Sequence, residues 1–249
     1  LKALATVGEV DAANGIGLTG YPDGQAAWLA DDDTVRVAYP SETYATMSSE
    51  TYPWVMDSGA NFTGSHIHTL DYDRAGLSGF LSNDAPAADI LQGTGNLFST
   101  VYNVFGDEVV PLSEGGAWGN SALPDGSTVE FAPAMQLSNG DYFFQSFCGA
   151  YYEPADKYGE GIGFADPIWF NAEEWNIQSM FDTVDEEGNV LESVIDANDT
   201  MGLASMAVDI NNGVAYTVPA LGQTGYEKLM PVNPGHEDYV VVVAAGYNH

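Results

Sequence analysis

Residues 144–175 read FQSFCGAYYEPADKYGEGIGFADPIWFNAEEW. An aromatic run, YFFQSF (142–147), leads into Cys148, the chain's only cysteine. A segment rich in Gly, Tyr and acidic residues follows. The apolar run Pro167-Ile168-Trp169-Phe170 then delivers Glu173 and Glu174. Two aromatic, β-branched runs separated by Gly-rich chain read as strand, loop, strand. One soft metal ligand and two hard ones therefore stand at strand ends, where a rigid sheet aims side chains presented by loops. Taken singly, a lone cysteine is most often a small buried hydrophobe, and a Glu-Glu pair is most often solvated.

The same pattern extends outward in both directions. Pro22-Asp23-Gly24 and Pro124-Asp125-Gly126 are turns, because Pro sets φ and Gly tolerates positive φ. Asp31-Asp32-Asp33 separates QAAWLA from TVRVAY, and Asn139-Gly140 separates FAPAMQL from DYFFQSF, so each pair reads as a hairpin. Residues 66–73 (HIHTLDYD) alternate as a strand, with His66 and His68 on one face; a surface strand with two chance histidines is the expectation, a metal pair the alternative. Residues 85–96 read as a loop with one helical turn. Residues 179–184 with 189–195, and 201–208 with 213–218, read as further hairpins, and residues 240–245 as a buried strand. The acidic turns Asp71-Tyr72-Asp73 and 182–189 lack the full EF-hand spacing, so solvated turns are expected rather than calcium loops. No long amphipathic helical run is present. The expectation is an all-β protein, propeller or sandwich.

The chain has 249 residues, enough to bury a substantial core, and it is taken as a single domain, 1–249. Its 36 acidic and 5 basic residues give a net charge of −31. That argues against nucleic acid and anionic membrane surfaces as partners, since both are polyanions. Most carboxylates can have no basic partner and must be solvated, screened or bound to cations. One cysteine excludes an internal disulfide. Leu1 opens a polar-mixed segment rather than the charged start and apolar core of a signal peptide. No apolar run reaches ~18 residues, so no membrane span is expected. The sequons at Asn61 and Asn198 are chance-level signals. No Gly-x-Ser-x-Gly elbow supports a serine hydrolase, and Cys148 carries no cysteine-protease signature.

Four segments resemble the PhoX-type alkaline phosphatases, secreted β-propeller proteins with calcium and iron, and match them in order along the chain. Phe147-Cys148-Gly149 followed by Ile168-Trp169-Phe170-Asn171-Ala172-Glu173-Glu174 is similar to that family's cysteine segment and Glu-Glu strand. GYPDGQAAWLADDDTVRVAYPSE (20–42) resembles its opening hairpin, with Pro40-Ser41-Glu42 where the family has Asn-His-Glu. ALGQTGYEKLMPV (220–232) resembles its Leu-Gly-x-x-x-x-Glu segment and places the glutamate at Glu227. VVVVAAG (240–246) resembles a strand leading to an acidic pair; here Tyr247-Asn248-His249 follow.

The resemblance implies a β-propeller-like fold, with β-sandwich kept as the alternative. A four-stranded blade needs ~40–50 residues, so the whole chain would make about five blades. A reduced propeller, or one completed by further polypeptide or by self-assembly, is therefore expected. The resemblance also implies a metal site of calcium and iron on Glu42, Cys148, Glu174 (or Glu173) and Glu227, with Asn248 in place of an acidic ligand. Thiolate with carboxylate suits iron, and carboxylates with carbonyls suit calcium. The implied function is a secreted, periplasmic or cell-surface phosphoesterase that takes a phosphate ester or other small anionic substrate through its metals. The alternative is a non-catalytic, acidic calcium-binding β-scaffold serving surface or assembly roles. The lost acidic pair and the scarcity of basic residues (Lys2, Arg36, Arg74, Lys157, Lys228) weigh towards the scaffold, and the intact Cys148 and Glu-Glu towards the enzyme.

Overall fold

A computed structural model describes residues 2–42, 54–83, 86–103, 106–114, 142–144, 147–174, 183–184, 190–192, 205–222 and 224–246. The protein is mostly β, in several antiparallel sheets with no closed barrel among the described residues. The first large sheet holds β1 (Tyr21–Pro22), β2 (Ala26–Leu29), β3 (Thr34–Glu42), β6 (His66–Asp73) and β7 (Leu91–Asn96). β2 pairs with β3 across the turn at Asp31–Asp33, and β1 continues β2 along the same edge of β3. Pro22-Asp23-Gly24, expected as a turn, is therefore a bulge between two collinear strand pieces, with the Asp23 N–H donating to the Pro40 carbonyl at 3.2 Å. Between β3 and β6 the chain forms β4 (Trp54–Val55) and β5 (Asn61–Gly64). These make a small sheet with β9 (Tyr142–Phe144).

The second large sheet runs β10 (Phe147–Glu153), β11 (Ile168–Glu173), β14 (Ser205–Asp209), β15 (Val214–Thr217), with β8 (Thr100–Tyr102) added in parallel on β15. The hairpin β12 (Thr183–Val184) and β13 (Val190–Glu192) lies between β11 and β14 in sequence. Both large sheets thus follow one scheme. Four antiparallel strands run up and down, and a small strand pair is inserted between the second and the third. A last antiparallel pair is β16 (Tyr226–Val232) with β17 (Val241–Gly246).

Period-2 alternation decides what each face covers. Ala38 and Ile67 of the first sheet meet Phe147, Ala150, Trp169, Met206 and Val208 of the second in one core cluster. Trp28 bridges the two, stacked on Tyr152 with ring centroids 4.6 Å apart. The other face of the first sheet buries Tyr39, Leu70 and Tyr72 against Leu18 and the N-terminal segment. The other face of the second sheet buries Phe170 and Ala172 against Leu229 of β16. The sheets therefore stack in chain order.

Several expectations change. Residues 74–82 form a helix, α1 (Arg74–Ser82), which no sequence pattern announced; the Asp73 carboxylate caps it by accepting the Gly76 N–H at 2.9 Å. Asp71 is held by Arg36 through two bonds of 2.7 Å, so Asp71 and Asp73 are structural rather than solvated turn residues. Residues 91–96, expected in a loop, are strand β7; the helical turn is the 3-10 segment Ala87–Asp89. Residues 241–246 are a strand, but a largely exposed one. His66 and His68, expected on a surface strand, are both fully buried. The hairpin at Asn139-Gly140, the turn at 124–126, Asn198 and most of 182–189 lie outside the described residues, as does Asn248.

Candidate metal centre

Glu42 closes β3, Cys148 opens β10, Glu174 follows β11, and Glu227 opens β16. The fold brings all four to one place, together with Asp23 from the bulge between β1 and β2. Ligand atoms of Asp23, Glu42 and Cys148 lie within 4.8 Å of one another, and so do those of Cys148, Glu174 and Glu227. The Cys148 Sγ sits 2.6 Å from Asp23 Oδ2 and 3.6 Å from Glu227 Oε2. Two groups thus share one sulfur.

The register explains the convergence. In each sheet an aromatic residue of the first strand faces the last residue of the second: Tyr21 faces Glu42, Phe147 faces Glu173, and Tyr226 faces Gly246. The donors Asp23, Cys148 and Glu227 each follow that aromatic by one or two residues. Three strand pairs thus present a first-strand donor at the same level. β10 packs on β2 and β3 on one side and on β16 on the other, which brings those levels together.

Alternation then separates the two adjacent glutamates. Glu174 shares the face of Phe170 and Ala172, and Ala172 is the cross-strand partner of Cys148. Glu173 lies on the opposite face with Trp169 and Asn171, is fully buried, and stands outside both groups. Of the two candidates, only Glu174 reaches Cys148.

Close backbone approach completes the site. Gly149 adopts φ +56, and a Cβ there would lie 1.5 Å from the Glu227 carbonyl oxygen. A Cβ on Gly225 would lie 2.1 Å from the Glu174 carbonyl oxygen. Only glycine lets β16 settle against β10 and β11 this tightly.

Cys148 is 3% exposed, Glu42 9% and Glu174 8%, whereas Asp23 is half-buried and Glu227 exposed. The cluster is therefore walled by sheet and open on one side. Burial pushes the Cys148 thiol well above its ordinary pKa, and the hydrogen bond to Asp23 and the charges of Asp23, Glu174 and Glu227 push the same way. Such a thiol keeps its proton unless a cation replaces it.

The basic side chains are engaged elsewhere. Arg36 binds Asp71, Lys157 binds Glu153, Arg74 donates to the Asp32 carbonyl, Lys2 donates to the Phe80 carbonyl, and Lys228 lies over the Tyr151 ring. The donor set fits a metal on its chemistry. Ligands at 2.0–2.6 Å from one ion are at most about 5 Å apart, and each group meets that limit. The set mixes one soft sulfur donor with four hard carboxylates.

Sequence reasoning missed Asp23, because Pro-Asp-Gly carries turn chemistry that accounts for the aspartate by itself. His66 and His68 form a separate pair. Their Nε2 atoms are 3.1 Å apart, on the face of Ser41 and Tyr39, opposite that of Glu42. Burial holds His68 neutral, with a pKa lowered to about 2, and the Thr19 N–H points at its Nε2 from 3.3 Å. No family model, curated protein or solved structure matches the chain.

Proposed function

We propose that the chain is a secreted, metal-dependent phosphoesterase of β-propeller-like architecture, hydrolysing phosphate esters at a calcium- and iron-binding centre on Cys148. The observation that carries this reading is the convergence of Asp23, Glu42, Cys148, Glu174 and Glu227 from five separate chain segments onto one sulfur. The propeller-like reading is supported by the stacking of strand pairs in chain order, with their first strands at a common edge.

Glu174 and Glu227 hold one side of the Cys148 sulfur, Asp23 and Glu42 the other. Bound cations would polarise the phosphoryl oxygens and supply positive charge that the five basic side chains do not. The open side at Asp23 and Glu227 is where a small anionic ester would enter. The Cys148 thiol gives up its proton on loading and serves as a ligand, not as a nucleophile.

The test is hydrolysis of p-nitrophenyl phosphate by chelated protein, before and after adding iron and calcium. Activity restored only by both, and lost in Cys148→Ser, supports the proposal. Calcium binding without hydrolysis under any loading would replace it with the acidic scaffold reading.

A further inference from the structure

Between the pairs Cys148–Ala172 and Tyr151–Phe170, β10 carries two residues, Gly149 and Ala150, and β11 carries one, Asn171. This is a β-bulge, with Gly149 in the left-handed region. Asn171 is the single residue opposite it and is fully buried. Its Nδ2 donates to the Cys148 carbonyl at 2.8 Å, and its Oδ1 accepts the Trp169 Nε1–H at 2.6 Å. The indole can only donate and the carbonyl only accept, so the amide has one orientation. Trp169 is fully buried as well. A bulge re-aims a side chain, and here the side chain is that of the cysteine at the centre of the cluster.

We propose that Asn171 is a positioning residue. Oriented by Trp169, it clamps the Cys148 carbonyl across the bulge and so fixes where the Cys148 sulfur points relative to Asp23 and Glu227. The cluster's ligands come from five segments, whereas the aim of its shared sulfur is set by one amide. The inference rests on the metal-centre reading for its second consequence only. A loosened clamp first exposes the thiol, and then weakens binding of any ion that needs it. Outer partners that orient a ligand typically account for about 10–100-fold in metal affinity.

The experiment compares wild type with Asn171→Asp, Asn171→Ala and Trp169→Phe. Asn171→Asp keeps the shape but sets a carboxylate oxygen against the Cys148 carbonyl. Trp169→Phe removes the orienting N–H together with part of a fully buried ring, and the comparison at equal loss of melting temperature separates the two. Leu70→Ala, in the cluster on the far face of the first sheet, serves as a control for general loss of stability. The first readout is the rate of Cys148 alkylation by iodoacetamide in metal-free protein. The second is Co²⁺ affinity, followed by the sulfur-to-cobalt absorption band.

The proposal expects alkylation several-fold faster in both Asn171 variants than in Leu70→Ala at an equal loss of melting temperature, with Trp169→Phe between. It expects Co²⁺ binding weakened about tenfold or more. Alkylation rates that follow melting temperature alone, in all variants alike, overturn it. Should wild type bind no cobalt, the metal reading fails, and the alkylation comparison still decides the role of Asn171.

Discussion

Gly149→Ala tests how the cluster is assembled. The added Cβ meets two obstacles. The first is conformational: φ is +56, and a non-glycine residue there costs roughly 1–2 kcal/mol. The second is spatial: the Cβ would sit 1.5 Å from the Glu227 carbonyl oxygen, where ordinary contact begins near 3.4 Å. β16 must retreat by about 2 Å, and overpacking of this kind costs roughly 1–3 kcal/mol. Together the expected loss is about 2–5 kcal/mol. The retreat also bears on function. The Cys148 Sγ to Glu227 Oε2 distance is 3.6 Å, and 2 Å more takes it beyond the ~5 Å that two ligands of one ion can span. Gly149→Ala should therefore lower the urea midpoint with an unchanged m-value, and should release whichever ion Glu227 shares with the sulfur. A loss below about 1 kcal/mol with metal content unchanged would refute the close-approach account.

Further outcomes follow from the same geometry. The Cys148 thiol is pushed above its ordinary value of 9.0, so the metal-free fold holds its proton when the unfolded chain has released it. That contribution is intact below pH 9 and is lost as pH rises beyond it, by up to about 1.4 kcal/mol per unit. Thermal melts of chelated protein from pH 8 to 10.5 should show this slope, and Cys148→Ala should flatten it. Specific cations bound to the native state at a hundredfold excess over Kd add ~2.7 kcal/mol, so chelation at fixed ionic strength should lower the melting temperature. An unchanged value speaks for screening alone. Asp73→Ala removes the cap of α1 and should cost about 1 kcal/mol in urea titration, without effect on metal content.

What the chain disclosed of itself follows the range of the forces involved. Turn chemistry is local, so the hairpins at Asp31–Asp33 and Asp209–Asn212 stand where the sequence placed them. The residues Glu42, Cys148, Glu174 and Glu227, chosen from motif order, are ones the fold brings together. Alternation could say that only one of Glu173 and Glu174 reaches Cys148; the bulge opposite Asn171 decides which. Burial is not local. Period 2 puts His66 and His68 on one face, but it is distant segments, among them Leu18–Thr19 and Trp54, that cover them. VVVVAAG reads as buried on hydropathy, yet Val241 and Val243 are exposed, because β17 pairs only with β16 among the described residues. α1 is nine residues with Gly76 and Gly79 inside it, which leaves little periodic signal.

Elemental analysis of the purified protein, wild type beside Cys148→Ser, addresses the metal centre directly. The account predicts that wild type carries both iron and calcium in fixed ratio to protein. It predicts that Cys148→Ser, still folded, loses the iron and keeps calcium. Wild type without iron, or a serine variant with the same metal content as wild type, contradicts it.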